Sequence, residues 1–237
     1  MAEFSLEEMR SAHEKLELRI ANACAQSNRS RESVRLVWVS KFHPVESVEK
    51  ALLLGAKDFG ENRVQEAVEK FSVKRPGVRC HIIGPVQSNK LKKAALVADC
   101  IHSVASIEAV EKLEKVCAEA NKTLDILFQV NAGEEETKSG LDVREAEAFL
   151  LALEKHFPCD HLRFRGLMTI GKNTGIAEDS RECFAFLRDL QQKFLFRGGV
   201  FQNFDQLSMG MTGDLEVAIE EGATMIRVGT ALFGVRN

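Results

Sequence analysis

The stretch VRLVWVSKFHPVESVEKALLLG, residues Val34 to Gly55, joins a short β-rich apolar run to a longer helical pattern. The same pairing recurs along the chain: KDFGE with VQEAVEKF, VRCHIIG with NKLKKAALVA, CIHSVA with IEAVEKLEKVCAEA, and LDILFQVN with REAEAFLLALEKHF. It continues with LRFRGLMTI and EDSRECFAFLRDLQQKF, DQLSMG and DLEVAIEEG, and finally MIRVG and TALFG. Eight strands, each followed by a helix or a helical turn, is the number that closes a parallel barrel. Continuous apolar runs suit strands covered by helices on the outside. A doubly wound sheet is the alternative, but no GxGxxG follows the first run. The expected fold is therefore α/β, a (β/α)8 TIM-type barrel occupying residues 1–237 as one domain, without a second domain.

Ahead of the barrel, Ser5 to about Ser27 carries Leu6, Met9, His13, Leu16, Ile20 and Ala23 at intervals of three and four. Ser5 and Glu8 stand at capping-box spacing, so an extra amphipathic helix is expected there. No Pro-, Gly- or Ser-rich linker and no low-complexity segment interrupts the 237 residues.

Composition bounds the chemistry. The six cysteines are scattered, with no CxxC pair, and read as reduced structural thiols of a cytoplasmic protein; no metal site is expected. The acidic, interrupted N-terminus is no signal peptide, and no apolar run approaches a membrane span. A net charge of -3 gives no case for nucleic acid, and Lys90, Lys92 and Lys93 read as a solvated helix face.

Active sites of such barrels lie at the carboxyl ends of the strands, often with a phosphate site after strands seven and eight. There the chain has SMGMTG, with the hydroxyls of Ser208 and Thr212, and RVGT, which would place the N–H groups of Gly229 and Thr230 at a helix N-terminus. At the end of the first strand stands Lys41. A buried, unpaired ammonium costs several kcal/mol, so this lysine is solvated, paired or chemically used. Barrel closure sets strand eight beside strand one, so Lys41 would lie roughly 5–10 Å from the phosphate cradle. A lysine at that distance suits a phosphorylated aldehyde held as a Schiff base, and apolar neighbours such as Trp38 and Val39 would ease loss of the amine's proton. The plainer reading is that Lys41 snorkels or pairs with Glu61. Arg227 could meet phosphate, a ring nitrogen or a structural carboxylate. Asn62 could meet a phenolic oxygen or cap the helix beginning at Arg63. His81 reads as a core histidine, and GEEETKSG (Gly133 to Gly140) as a solvated loop at the barrel mouth.

With these residues the sequence resembles the pyridoxal phosphate homeostasis proteins, which look like the barrel domain of alanine racemase without its second domain. The resemblance is carried by VSKFHPVESVEKALLLGAKDFGENRVQEAVEK, HIIGPVQSNK, LFQVNAGEEETKSGL, FRGLMTIG and LSMGMTGDLEVAIEEGATMIRVGTALFG, from about Val39 to Gly234. It implies a fold-type-III barrel holding pyridoxal 5'-phosphate (PLP) as an imine on Lys41. It also implies phosphate contacts from Ser208, Gly229 and Thr230, Arg227 facing the pyridine nitrogen and Asn62 near the cofactor's hydroxyl. Many relatives have serine at the place of Thr212 and an acidic residue at that of Gly213, which touches only the geometry of that loop.

Three functions compete. The first is a PLP carrier acting in vitamin B6 homeostasis, with no catalytic residue and with PLP-dependent apoenzymes as recipients. The second is a racemase-like enzyme, and the third a Schiff-base aldolase using Glu61 and His102 as acid and base. The chain contains no tyrosine, the residue that alanine racemase resemblance would demand opposite the lysine. An arginine at the ring nitrogen would keep it unprotonated and weaken the electron sink. Both points favour the carrier. A closed barrel needs no partner to complete it, so a monomer is expected.

Overall fold

The computed structural model describes residues 4–133, 139–156 and 159–234, and the expected loop at Gly133 to Gly140 lies largely outside the described residues. Eight parallel strands form one closed barrel in chain order. They are β1 (Arg35–Val39), β2 (Asp58–Glu61), β3 (Arg79–Ile82), β4 (Cys100–Val104), β5 (Leu124–Gln129), β6 (Leu162–Met168), β7 (Gln206–Ser208) and β8 (Met225–Val228). The helices that follow them in turn are α2 (Val45–Leu53), α3 (Val64–Phe71), α4 (Leu91–Val97), α5 (Ile107–Glu119), α6 (Val143–His156), α7 (Arg181–Arg197), α8 (Leu215–Glu220) and α9 (Thr230–Phe233). Helix α1 (Leu6–Gln26) precedes β1 and starts on the Ser5/Glu8 capping box expected from the sequence. Closure is the pairing of β1 with β8, Trp38 opposite Val228.

Strand alternation sorts side chains into two layers. Val37, Cys100, Leu127, Met168 and Met225 pack together inside the barrel. Leu36, Trp38, Phe59, Ile101 and Ile226 join the larger core between strands and helices. Trp38 therefore faces outward, its ring 4.8 Å from that of His13 in α1 and 5.9 Å from that of Phe233 in α9. This corrects the expectation that Trp38 lines the surroundings of Lys41. The strand ends at Val39, and Lys41 occupies the turn beyond it.

Helix α1 packs on α8 and α9 through Met9, Leu16, Ile20 and Ala23. Fully burying one such aliphatic side chain is worth about 1.5–3 kcal/mol. On its other edge Arg19 donates to Glu216 at 2.6 Å and to the carbonyl oxygen of Thr212 at 2.9 Å, so the helix also holds the SMGMTG loop.

Gly166 is needed where β5 and β6 change register between the Ile126–Phe164 and Leu127–Gly166 pairs. Its φ is +148°, and a Cβ there would lie 1.8 Å from the carbonyl oxygen of Gln206. Among the described residues no helix is long and apolar enough to cross a membrane.

Candidate binding site at the barrel mouth

The strand ends surround a cavity of about 570 Å³. Lys41, Asn62, Arg227, Gly229 and Thr230 all line it, as do Thr212 and Gly213. Loops after β1, β2, β7 and β8 thus bring the expected residues together, Ser208 excepted. Val39, Ile83, Met168 and Ile170 form its apolar walls. Among the described lining residues, Lys41 and Arg227 are the charged ones.

Asn62 is not the cap of α3: Arg63 holds that position and supplies no side-chain cap bond. Gly84 keeps Asn62 at the mouth, because a Cβ on Gly84 would come within 2.6 Å of the Asn62 carbonyl oxygen. Lys90 sits at the N-terminus of α4 while Lys92 and Lys93 face solvent, the solvated face expected.

Arg227 is buried at the cavity floor, with no carboxylate in an ion pair with it among the described residues. Its Nη1 donates to Ser208 Oγ at 2.7 Å and its Nη2 to the carbonyl oxygen of Thr169 at 2.8 Å. Burial pushes its pKa down to about 10. It remains a cation at neutral pH, with N–H groups left for an acceptor in the cavity it lines.

Ser208 is completely buried and does not line the cavity; its hydroxyl belongs to a chain of bonds running down the barrel axis. His102 Nδ1 lies 2.9 Å from Ser208 Oγ, His102 Nε2 lies 2.9 Å from His81 Nδ1, and His81 Nε2 lies 2.9 Å from Asp58 Oδ1. One polarity satisfies every link. Arginine can only donate, so the Ser208 oxygen accepts from it and the hydroxyl proton goes to His102 Nδ1. Both neutral histidines then carry their proton on Nε2, and the last donates to Asp58. Burial holds His81 below its ordinary pKa against the pull of Asp58. Burial, and the repulsion that a proton on His102 would meet from a proton on His81 and from the Arg227 charge, hold His102 well below its own. Burial opposes ionisation of Asp58, but His81, Arg35 and Arg79 prevail and keep its pKa low.

His81, Cys100 and His102 bring potential ligand atoms within 4.8 Å of one another. The ring nitrogens are already spent on this chain. Sequence reasoning took His81 as a satisfied core histidine, which it is, but the inward facing of Asp58, Gly60, His81, Cys100, His102 and Arg227 becomes visible only once the strands are in register.

Glu61 and His102, the acid and base that an aldolase would need, are both fully buried outside the cavity lining. Glu61 pairs with Lys70 at 2.9 Å rather than with Lys41. Burial raises its pKa despite that partner. Lys70 went unnoticed in the sequence, although it falls between Ala67 and Phe71 on the buried face of α3.

The closed barrel with its lysine at the end of β1 defines the alanine racemase N-terminal domain class, whose family model matches residues 17–237. Within that class the chain belongs to the pyridoxal phosphate homeostasis protein family. It is 36% identical over 226 residues to the pyridoxal phosphate homeostasis protein of Haemophilus influenzae, covering 94% of this chain and 93% of that one. With the protein of the same name from Vibrio alginolyticus it shares 42% identity over 215 residues, 88% of this chain and 89% of the relative. PipY of Synechococcus elongatus PCC7942, solved with PLP bound, superposes with a TM-score of 0.75 at 35% identity, covering 91% of this chain and 100% of PipY. Alanine racemase of Clostridium difficile, at 14% identity and a TM-score of 0.67, shares the fold over 92% of this chain and 54% of the racemase.

Proposed function

We propose that this protein binds pyridoxal 5'-phosphate and serves its homeostasis as a carrier without turnover. The observation that carries the reading is the convergence, in one cavity, of Lys41, the buried Arg227 and the two hydroxyl-bearing loops after β7 and β8. The donor set fits the group. Thr212, Thr230 and the backbone at Gly213 and Gly229 offer a phosphate hydroxyls and N–H groups, and a Cβ on Gly213 would meet nothing within 4 Å, so the approach there is open. Arg227 would face the ring nitrogen of the bound group, and Asn62 its ring hydroxyl. Ser208 serves the site through Arg227, whose guanidinium it orients.

When bound, PLP supplies an aldehyde that condenses with an amine. Lys41 would hold the group through its Nζ, an amine able to condense with such an aldehyde with loss of water and to be freed again by water. Arg227, a cation held by Ser208 and Thr169, disfavours a proton on the ring nitrogen and so supports holding the aldehyde rather than carbanion chemistry.

The recipients are PLP-dependent apoenzymes, reached by exchange of the imine. The six cysteines, none in a disulfide, fit a cytoplasmic home, and the closed barrel fits a monomer. Loaded protein mixed with an apoenzyme is expected to restore its activity faster than spontaneous release of PLP allows; reactivation no faster than release would refute delivery.

A further inference from the structure

Lys41 is held from both sides by one buried ion cluster. The two peptide units that flank its Cα are the Ser40 carbonyl on one side and the Phe42 N–H on the other. Lys70 Nζ donates to the Ser40 carbonyl oxygen at 2.8 Å, and the Phe42 N–H donates to Glu66 Oε2 at 2.7 Å. Lys70 also donates to Glu61 Oε1 at 2.9 Å and to Glu66 Oε2 at 3.3 Å. All three N–H groups of the ammonium are thereby used. Ser40 Oγ donates to the same Glu61 oxygen at 2.6 Å, and the Ser40 N–H to the Gly60 carbonyl at 3.1 Å.

Fixing the two flanking peptide planes fixes φ and ψ of the residue between them, and with them the direction of its Cα–Cβ bond. The turn needs such holding. Phe42 has φ +65°, a conformation that costs a bulky side chain about 1–3 kcal/mol and persists only where the surroundings over-determine it. The cluster is itself expensive: the Lys70 and Glu61 side chains are 3% and 0% exposed, and Glu61 Oε2 has no hydrogen-bond partner. A packed apolar group would commonly be as stable or more so at this position. What the ions provide that an apolar pair cannot is a donor for Ser40 and acceptors for Ser40 and Phe42.

We propose that Lys70, Glu61 and Glu66 are positioning residues for Lys41, which aim its amine into the cavity from the end of β2 and the adjoining face of α3. The inference rests on the reading of Lys41 as the imine anchor. No member of the cluster lines the cavity or touches a ligand there.

The test uses Glu66→Ala, Glu66→Gln and the double variant Glu61→Gln/Lys70→Met, which removes both charges of the fully buried pair and leaves the partly exposed Glu66 still accepting from Phe42. The rate at which the imine band forms with PLP is compared with the affinity for pyridoxine 5'-phosphate, an alcohol that fills the cavity but forms no imine. Glu66→Ala and the double variant should slow imine formation about ten- to a hundredfold with the alcohol's affinity unchanged, and Glu66→Gln, which still accepts from Phe42, should restore most of the rate. In ligand-free protein, trace acylation read by peptide mass should change at Lys41 relative to the other lysines in the same two variants. Wild-type imine rates with wild-type labelling would overturn the inference, as would parallel loss of both ligands. A wild type that forms no imine refutes the anchor reading instead, and the labelling of Lys41 then decides the positioning by itself.

Discussion

Arg227 Nη1 donates to the buried hydroxyl of Ser208 at 2.7 Å, and this bond joins the cavity floor to the polar chain inside the barrel. Ser208→Ala leaves that N–H and His102 Nδ1 without their partner. A loss of about 1–3 kcal/mol is expected in urea unfolding, together with weaker PLP binding as the guanidinium loses its orientation. Unchanged values of both would mean that Ser208 does not hold Arg227.

Acid should destabilise the protein through the two interior histidines. Both are held neutral by burial, below the pKa near 6.5 that they regain on unfolding. Below that value the unfolded chain binds more protons than the native one. Their contribution is thus complete above about pH 6.5 and is lost as pH falls, with a slope of up to about 1.4 kcal/mol per pH unit for each ring. Urea midpoints measured from about pH 7.5 to 5.5 should fall, and less steeply in His102→Gln. A flat wild-type profile would mean that the rings titrate alike in the native and unfolded states and are not held neutral by burial, and a rise in stability towards acid would mean that they are charged in the native state.

The hydroxyl-bearing loops make a prediction about ligand choice. Thr212→Val and Thr230→Val each remove a donor at the cavity wall. Each should weaken PLP about tenfold while leaving pyridoxal, which lacks the phosphate, unaffected in equilibrium titrations. Equal losses for both ligands would move the phosphate elsewhere in the cavity.

Gly166→Ala tests the register shift between β5 and β6. The added methyl meets the Gln206 carbonyl at a position with φ +148°. Unfolding should become easier by about 3 kcal/mol or more, seen as a lower urea midpoint with PLP affinity per folded molecule little changed.

The repeat of apolar run and helical pattern made the barrel legible in the sequence, because each βα unit announces itself locally and closure needs only their number. Lys41, Asn62, Thr212, Arg227, Gly229 and Thr230 were legible for the same reason, standing at strand ends that the fold gathers. The chain from Ser208 to Asp58 was not, since four residues from β2, β3, β4 and β7 meet only through inward facing and register. The outward turn of Trp38 was missed because a continuous apolar run conceals which alternate positions face the barrel interior. Lys70 was hidden by its spacing from Glu66, which looks like an exposed i,i+4 pair on a helix until the burial of α3 is known.

The central claim is that Lys41 is the covalent anchor. The visible absorption of the purified protein with PLP, for wild type and Lys41→Ala, before and after borohydride reduction, tests it most directly. The account predicts a yellow imine band in wild type alone, fixed by reduction onto the peptide that contains Lys41. The same band in both proteins, or no band in either, would contradict it.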